Sequence, residues 1–172
     1  TFPGAVTLIA RRGEIVHFEA HGVQDAAKTK PMAKDTIFRM ASMTKPMTTV
    51  AAMMLMEQGL LKLNDPVAQY LPELKDMKVE VSRKNADGSV VTEDVPALRP
   101  ITIQDLMRHT SGFFYSGAIP SKRLKAAYET ANIEGRDPIT GDEMLKRLGE
   151  IPLAQQPGTN FLYSISTEVL GL

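Results

Sequence analysis

From Ser42 to Gln58 the chain carries only two charged residues, Lys45 and Glu57, and one helix-breaking residue, Pro46. A stretch with apolar residues on nearly every side reads as a core helix. Pro46 sets its start, because a missing N–H is harmless only within about the first turn. Gly59 sets its stop, since freedom at positive φ suits the C′ position. Ser42 then lies at or beside the helix N-terminus with Lys45 one turn on, and residues three apart share a face. Met40, Ala41, Met43, Met47, Val50, Ala51, Met54 and Leu55 surround Lys45. Such surroundings would desolvate the amine and push it down toward a base. Free N–H groups at the helix end would favour an alkoxide at Ser42 and an oxyanion beside it. The spacing alone is weak, as chance yields about 0.5 Ser-x-x-Lys matches in such a chain. Ser42 as an N-cap and Lys45 as a solvated first-turn residue is the plain alternative.

The rest of the chain frames this helix. Ala5 to Ala10 and Glu14 to Ala20 are β-rich runs around Arg11-Arg12-Gly13 and read as an antiparallel hairpin. His17 and His21, in or just after its second strand, read as structural. Gly22 to Asp35, with Lys28, Lys30 and Lys34, is a polar loop. Asn64-Asp65-Pro66 caps a short helix that breaks before Pro72. Lys78 to Val81 and Val90 to Thr92 alternate around Asp87-Gly88, which predicts a small exposed hairpin. Thr102-Ile103-Gln104-Asp105 is a capping-box variant opening a helix that ends near His109 and Gly112. Phe113-Phe114-Tyr115 forms an aromatic loop that either packs inward or lines a pocket. Ser121 to Ala131 is helical, Thr140 to Glu143 is a full capping box for a helix closing at Gly149, and Thr167 to Leu172 starts an apolar-striped helix. Strands first and helices after give an α+β class, with two strands short of partners.

At 43% apolar and 23% charged residues, the chain can build a substantial core. Twenty acids balance 20 bases with no basic run, so nothing supports a nucleic-acid or anionic-membrane partner. No segment approaches the roughly 18 apolar residues of a membrane span. The absence of cysteine removes disulfides, thiolate metal sites and cysteine nucleophiles, and leaves the compartment open. No metal-ligand spacing or phosphate-cradling glycine loop occurs, so no cofactor is expected.

Phe38-Arg39-Met40-Ala41-Ser42-Met43-Thr44-Lys45-Pro46 resembles the Ser-x-x-Lys entry of the serine β-lactamase and penicillin-binding-protein superfamily, in its class C-like branch. Gly59 to Leu74, Ile101 to Gly112 and Gln156 to Leu172 match the same branch in order, so the likeness spans most of the chain. It implies a β-lactamase/transpeptidase-like α+β fold whose N-terminal strands pair with strands of a C-terminal half. The sheet would then be incomplete here. Residues 1–172 would be a partial domain, with a sheet hairpin and loop over 1–36 and a mostly helical, motif-bearing region over 37–172.

The tail narrows the branch. Class C β-lactamases carry Tyr-x-Asn, whereas Tyr163-Ser164-Ile165 offers an apolar residue that cannot hydrogen-bond a β-lactam amide. Tyr-Ser followed by an apolar residue is similar to the family VIII carboxylesterases. That resemblance implies a serine carboxylesterase acting through an acyl-enzyme on Ser42. Lys45, uncharged or sharing its proton with Tyr163, would be the base, and Tyr163 would relay the proton to the leaving alkoxide. The expected partners are a small-molecule ester and a C-terminal segment supplying the second oxyanion donor. The rivals are a β-lactamase or D-Ala-D-Ala peptidase, a non-catalytic ligand-binding relative, and an inactive fragment.

Overall fold

The computed structural model describes residues 2–27, 29–135 and 137–172, so Lys28 of the polar loop lies outside the described residues. Two compact units emerge, Thr1–Ala41 and Ser42–Leu172.

In the first unit, β1 (Gly4–Arg11) and β2 (Glu14–Gly22) form the expected antiparallel hairpin, with Arg11 opposite Glu14. Between them Arg12 and Gly13 have φ of 53° and 84°. Two successive left-handed residues make the turn whose twist matches a two-residue hairpin. His17 Nε2 lies 2.7 Å from Thr7 Oγ1 across the ladder, a structural contact. Leu8, Ile9, Ile15 and Val16 are exposed along the strands.

A 3-10 turn at Ala41–Met43 leads into the second unit and runs into α1 (Thr44–Glu57). Pro46 sits inside its first turn, and Gly59, φ 74°, follows its end. There Gly59 N–H donates to the Met56 carbonyl (2.9 Å) and Leu60 N–H to the Leu55 carbonyl (3.0 Å), the paired bonds of a Schellman stop. The expectation of a buried helix fails: only Ala52 is buried, while Met43, Met47, Val50, Met53, Met54 and Leu55 face outward. The less exposed residues, Lys45, Thr48, Thr49, Ala52 and Met56, follow a helical stripe. The helix therefore turns its small and polar face inward, and among the described residues α5 (Ser166–Leu170) is the helix packed most closely against it.

Downstream, the helix expected after Pro66 is only a pair of 3-10 turns, Val67–Gln69 and Pro72–Leu74. Pro72 limits the run to a length at which tighter turns compete with an α-helix. A second hairpin, β3 (Lys78–Lys84) and β4 (Val90–Pro96), extends further than its alternation suggested. Its base is not exposed: Val79 is buried and bridges Leu153.

Then come α2 (Ile103–Met107), α3 (Lys122–Thr130) and α4 (Gly141–Gly149). Thr102 caps α2 with a complete reciprocal box to Asp105, and Ser121 caps α3. The box at α4 is only half made. Thr140 accepts from Glu143 N–H, but the Glu143 carboxylate turns to Arg147 at 2.8 Å. The core gathers where these helices meet the hairpin base, around Leu106, Phe113, Phe114, Leu124, Tyr128, Leu148 and Val169. Phe114 and Tyr128 stack there with ring centroids 3.9 Å apart.

Candidate active site

Two of the sequence motifs are laced together by backbone bonds. Leu162 N–H donates to the His109 carbonyl at 2.8 Å, Gly158 N–H to Thr110 at 2.7 Å and Ala154 N–H to Gly112 at 2.9 Å. Gly112 has φ 93°, and a side chain on it would strike the Gln155 carbonyl oxygen. Under this lacing Ser111, Ser164 and Ser166 form a buried hydroxyl chain, with Oγ–Oγ distances of 2.8 Å and 2.6 Å. Ser164 N–H donates to His109 Nδ1 at 3.2 Å. The His109 ring then packs on Tyr163, centroids 4.6 Å apart. The residues flanking Tyr163 are therefore fixed by neighbours rather than left to a flexible loop.

Asp105 anchors the first motif. Its buried carboxylate accepts from Arg99 at 2.6 and 2.9 Å, from Thr102 N–H at 3.0 Å, and from the Thr102 and Thr110 hydroxyls, both at 2.8 Å. Burial alone would raise this carboxyl, but Arg99 and the other donors outweigh it and bring the group down to about 2.

Ser42, Lys45, His109, Tyr163 and Thr167 line one open cleft of about 470 Å³, together with Pro46, Thr49, Val50 and Met107. Ala41, immediately before Ser42, has φ 47°. A non-glycine residue in this region costs about 1–2 kcal/mol, and such strain clusters at functional sites.

Lys45 is bound otherwise than its sequence context implied. Its Nζ donates to the Glu168 carboxylate oxygens at 2.7 and 2.8 Å and to the Tyr115 hydroxyl at 3.0 Å. Tyr115 in turn donates to Glu168 at 2.7 Å. Tyr163 meets Lys45 through its ring face, 5.5 Å from Nζ to the centroid. Among the described residues no hydrogen bond joins Ser42 to Lys45 or to Tyr163.

An uncharged lysine is therefore corrected. Burial pushes the amine down, but Glu168 and Tyr115 outweigh it and hold it above its ordinary value. Burial would raise Glu168, yet Lys45 and Tyr115 keep its carboxyl below the usual range. Tyr115 is pushed up to about 12 by burial and by its bond to Glu168. His109 is lowered by burial and by the Lys45 charge.

The aromatic loop splits between its two readings: Phe113 and Phe114 are buried in the core, while Tyr115 enters the site. Tyr115, Glu168 and His109 had not been singled out as functional. One signal pointed to Glu168. A lysine among apolar residues calls for an acid, and Glu168 is the lone carboxylate in the last apolar stripe. Among the described residues no cluster of His, Asp and Glu could hold a metal ion.

The motif order and this geometry agree with a match of the beta-lactamase family model to residues 1–172. The chain belongs to the beta-lactamase family. Within that family it is 40% identical over 169 residues to protein Rv1367c of Mycobacterium tuberculosis (strain ATCC 25618 / H37Rv), covering 98% of this chain and 40% of that protein. Esterase EstB of Burkholderia gladioli is 37% identical over 173 residues, covering 98% and 39%. Among solved structures, EstCE1, a hydrolase with promiscuous acyltransferase activity, superposes with a TM-score of 0.78 at 34% identity, covering 98% of this chain and 40% of that one. The chain thus spans about two fifths of the length of the relatives it matches. Among the described residues the beta-lactamase fold is represented by two separate two-stranded sheets and the helices, with no closed sheet.

Proposed function

We propose that the protein is a serine hydrolase of carboxylic esters that works through an acyl-enzyme on Ser42. The observation that carries the reading is the shared cleft of Ser42, Lys45 and Tyr163, together with the burial of Ile165 in the core. Where a β-lactam-directed relative would present an asparagine amide, this chain presents an apolar side chain turned away from solvent. The names of EstB, an esterase, and EstCE1, a hydrolase, support the same direction.

In this reading the Ser42 hydroxyl attacks the ester carbonyl while Lys45 and Tyr163, acting as a unit, manage the proton and its charge. The proton is returned to the leaving alkoxide, and water then hydrolyses the acyl-enzyme. The helix-end N–H of Ser42 supplies one oxyanion donor, and loss of such a donor costs about 2.7–4 kcal/mol. A C-terminal segment of the longer protein completes the sheet and supplies the second donor.

The test is p-nitrophenyl butyrate hydrolysis by the full-length protein and its Ser42→Ala variant, with nitrocefin run in parallel. Ester turnover lost in Ser42→Ala, with nitrocefin turned over far more slowly by the unaltered protein, supports the reading. Equal turnover in the variant removes Ser42 as nucleophile, and nitrocefin hydrolysis matching ester hydrolysis returns the protein to β-lactam chemistry.

A further inference from the structure

We propose that Glu168, seconded by Tyr115, is a positioning residue that fixes Lys45 in the cleft as an ammonium, so that the lysine serves the reaction as a placed charge rather than as a free base. The inference rests on the ester-hydrolase reading of the same site.

The geometry is specific. Both carboxylate oxygens of Glu168 lie within 2.8 Å of Nζ, and the Tyr115 hydroxyl spans the two groups by accepting from Nζ and donating to Glu168. Three polar groups from α1, α5 and the aromatic loop thus close a ring. Charge-assisted bonds of this kind are roughly twice as strong as neutral ones, and the lysine side chain is only 13% exposed. A flexible four-carbon stem held this way has lost the freedom to swing toward Ser42.

The titratable groups facing Nζ are Glu168 on α5, Tyr115 on the aromatic loop, Tyr163 before α5 and His109 after α2. Glu168 is the one carboxylate among them. With the amine already protonated, the Ser42 proton passes to the Tyr163 oxygen while the Tyr163 hydroxyl proton passes to the leaving alkoxide. The Ser42 O–H bond breaks as the Tyr163 O–H bond forms, and the ammonium stabilises the charge on either side of the transfer. This division of labour makes activity depend on Lys45 keeping its proton.

The experiment is the pH profile of kcat/KM for p-nitrophenyl butyrate with the full-length protein, Glu168→Gln, Glu168→Asp and Tyr115→Phe. The unaltered protein should show no lysine-dependent fall up to about pH 10. Glu168→Gln removes the opposing charge and leaves the burial, so its alkaline limb should move to lower pH. Its kcat should fall by up to about 10²-fold with KM little changed. Glu168→Asp, which keeps the charge, should restore the limb even where kcat stays low. Tyr115→Phe should move the limb the same way by less, and it carries the test if Glu168→Gln does not fold.

An alkaline limb unmoved in Glu168→Gln and Tyr115→Phe would overturn the proposal. So would a gain of activity near neutral pH, which would make the free amine the working base. Ser42→Ala separates the two readings: if it alone is inactive while Glu168 variants keep the native profile, only the role of Glu168 falls.

Discussion

Replacing Asp105 by Asn should cost stability in a way that depends on pH, and the size follows from the site. Asp105 is 1% exposed and sits at about 2, below its ordinary 3.8, because Arg99, Thr102 and Thr110 hold its charged form against the cost of burial. A depressed carboxyl contributes stability that is present in full above the unfolded value and lost as pH falls through the folded one. That depression corresponds to about 2 kcal/mol at pH 7. The same linkage leaves about half of that near pH 3 and little of it near pH 2. Asn keeps the shape but not the charge, so the gap between the two proteins in urea unfolding should shrink along that curve. Asp105→Ala also removes the reciprocal half of the α2 capping box and the Thr110 contact, and should cost about 3 kcal/mol. That is the low end for breaking a buried pair, since Arg99 is half-exposed and regains water. A gap below about 0.5 kcal/mol at pH 7, the usual bound for surface substitutions, would refute the reasoning. A gap that stays constant from pH 7 to pH 3 would refute it as well.

Two glycines at positive φ should respond differently to alanine. At Gly59 nothing lies near the added methyl, so the cost is the backbone alone, about 1–2 kcal/mol. At Gly112 the methyl would also strike the Gln155 carbonyl, so thermal unfolding should show a larger loss, and ester turnover should fall because the lacing beneath Tyr163 loosens. Leu148→Ala, at a fully buried position outside the cleft lining, should cost about 2–5 kcal/mol in denaturant unfolding. The folded variant should keep the kcat of the unaltered protein.

What could be read from the sequence was whatever rests on local chemistry. The Arg12-Gly13 turn, the Thr102 box and the Gly59 stop each depend on a few adjacent residues, and each appears where expected. The side of α1 that faces the protein did not follow from composition. A helix apolar all round gives no direction, and the inward stripe here is Lys45, Thr48, Thr49 and Ala52. The turns after Pro66 are 3-10 because Pro72 shortens the run, and the box at Thr140 is half made because a neighbouring partner outcompetes the local pattern, as Arg147 does for Glu143. The charge on Lys45 was missed for the same reason. Its burial was inferred from neighbours in sequence, whereas its partner, Glu168, comes from the far end of the chain.

The most direct measurement is intact-protein and peptide mass spectrometry of the full-length protein after brief incubation with p-nitrophenyl butyrate and acid quench. The account predicts a butyryl adduct on the peptide containing Ser42, absent in Ser42→Ala. An adduct on another residue, or the same turnover with Ser42 replaced, would contradict it.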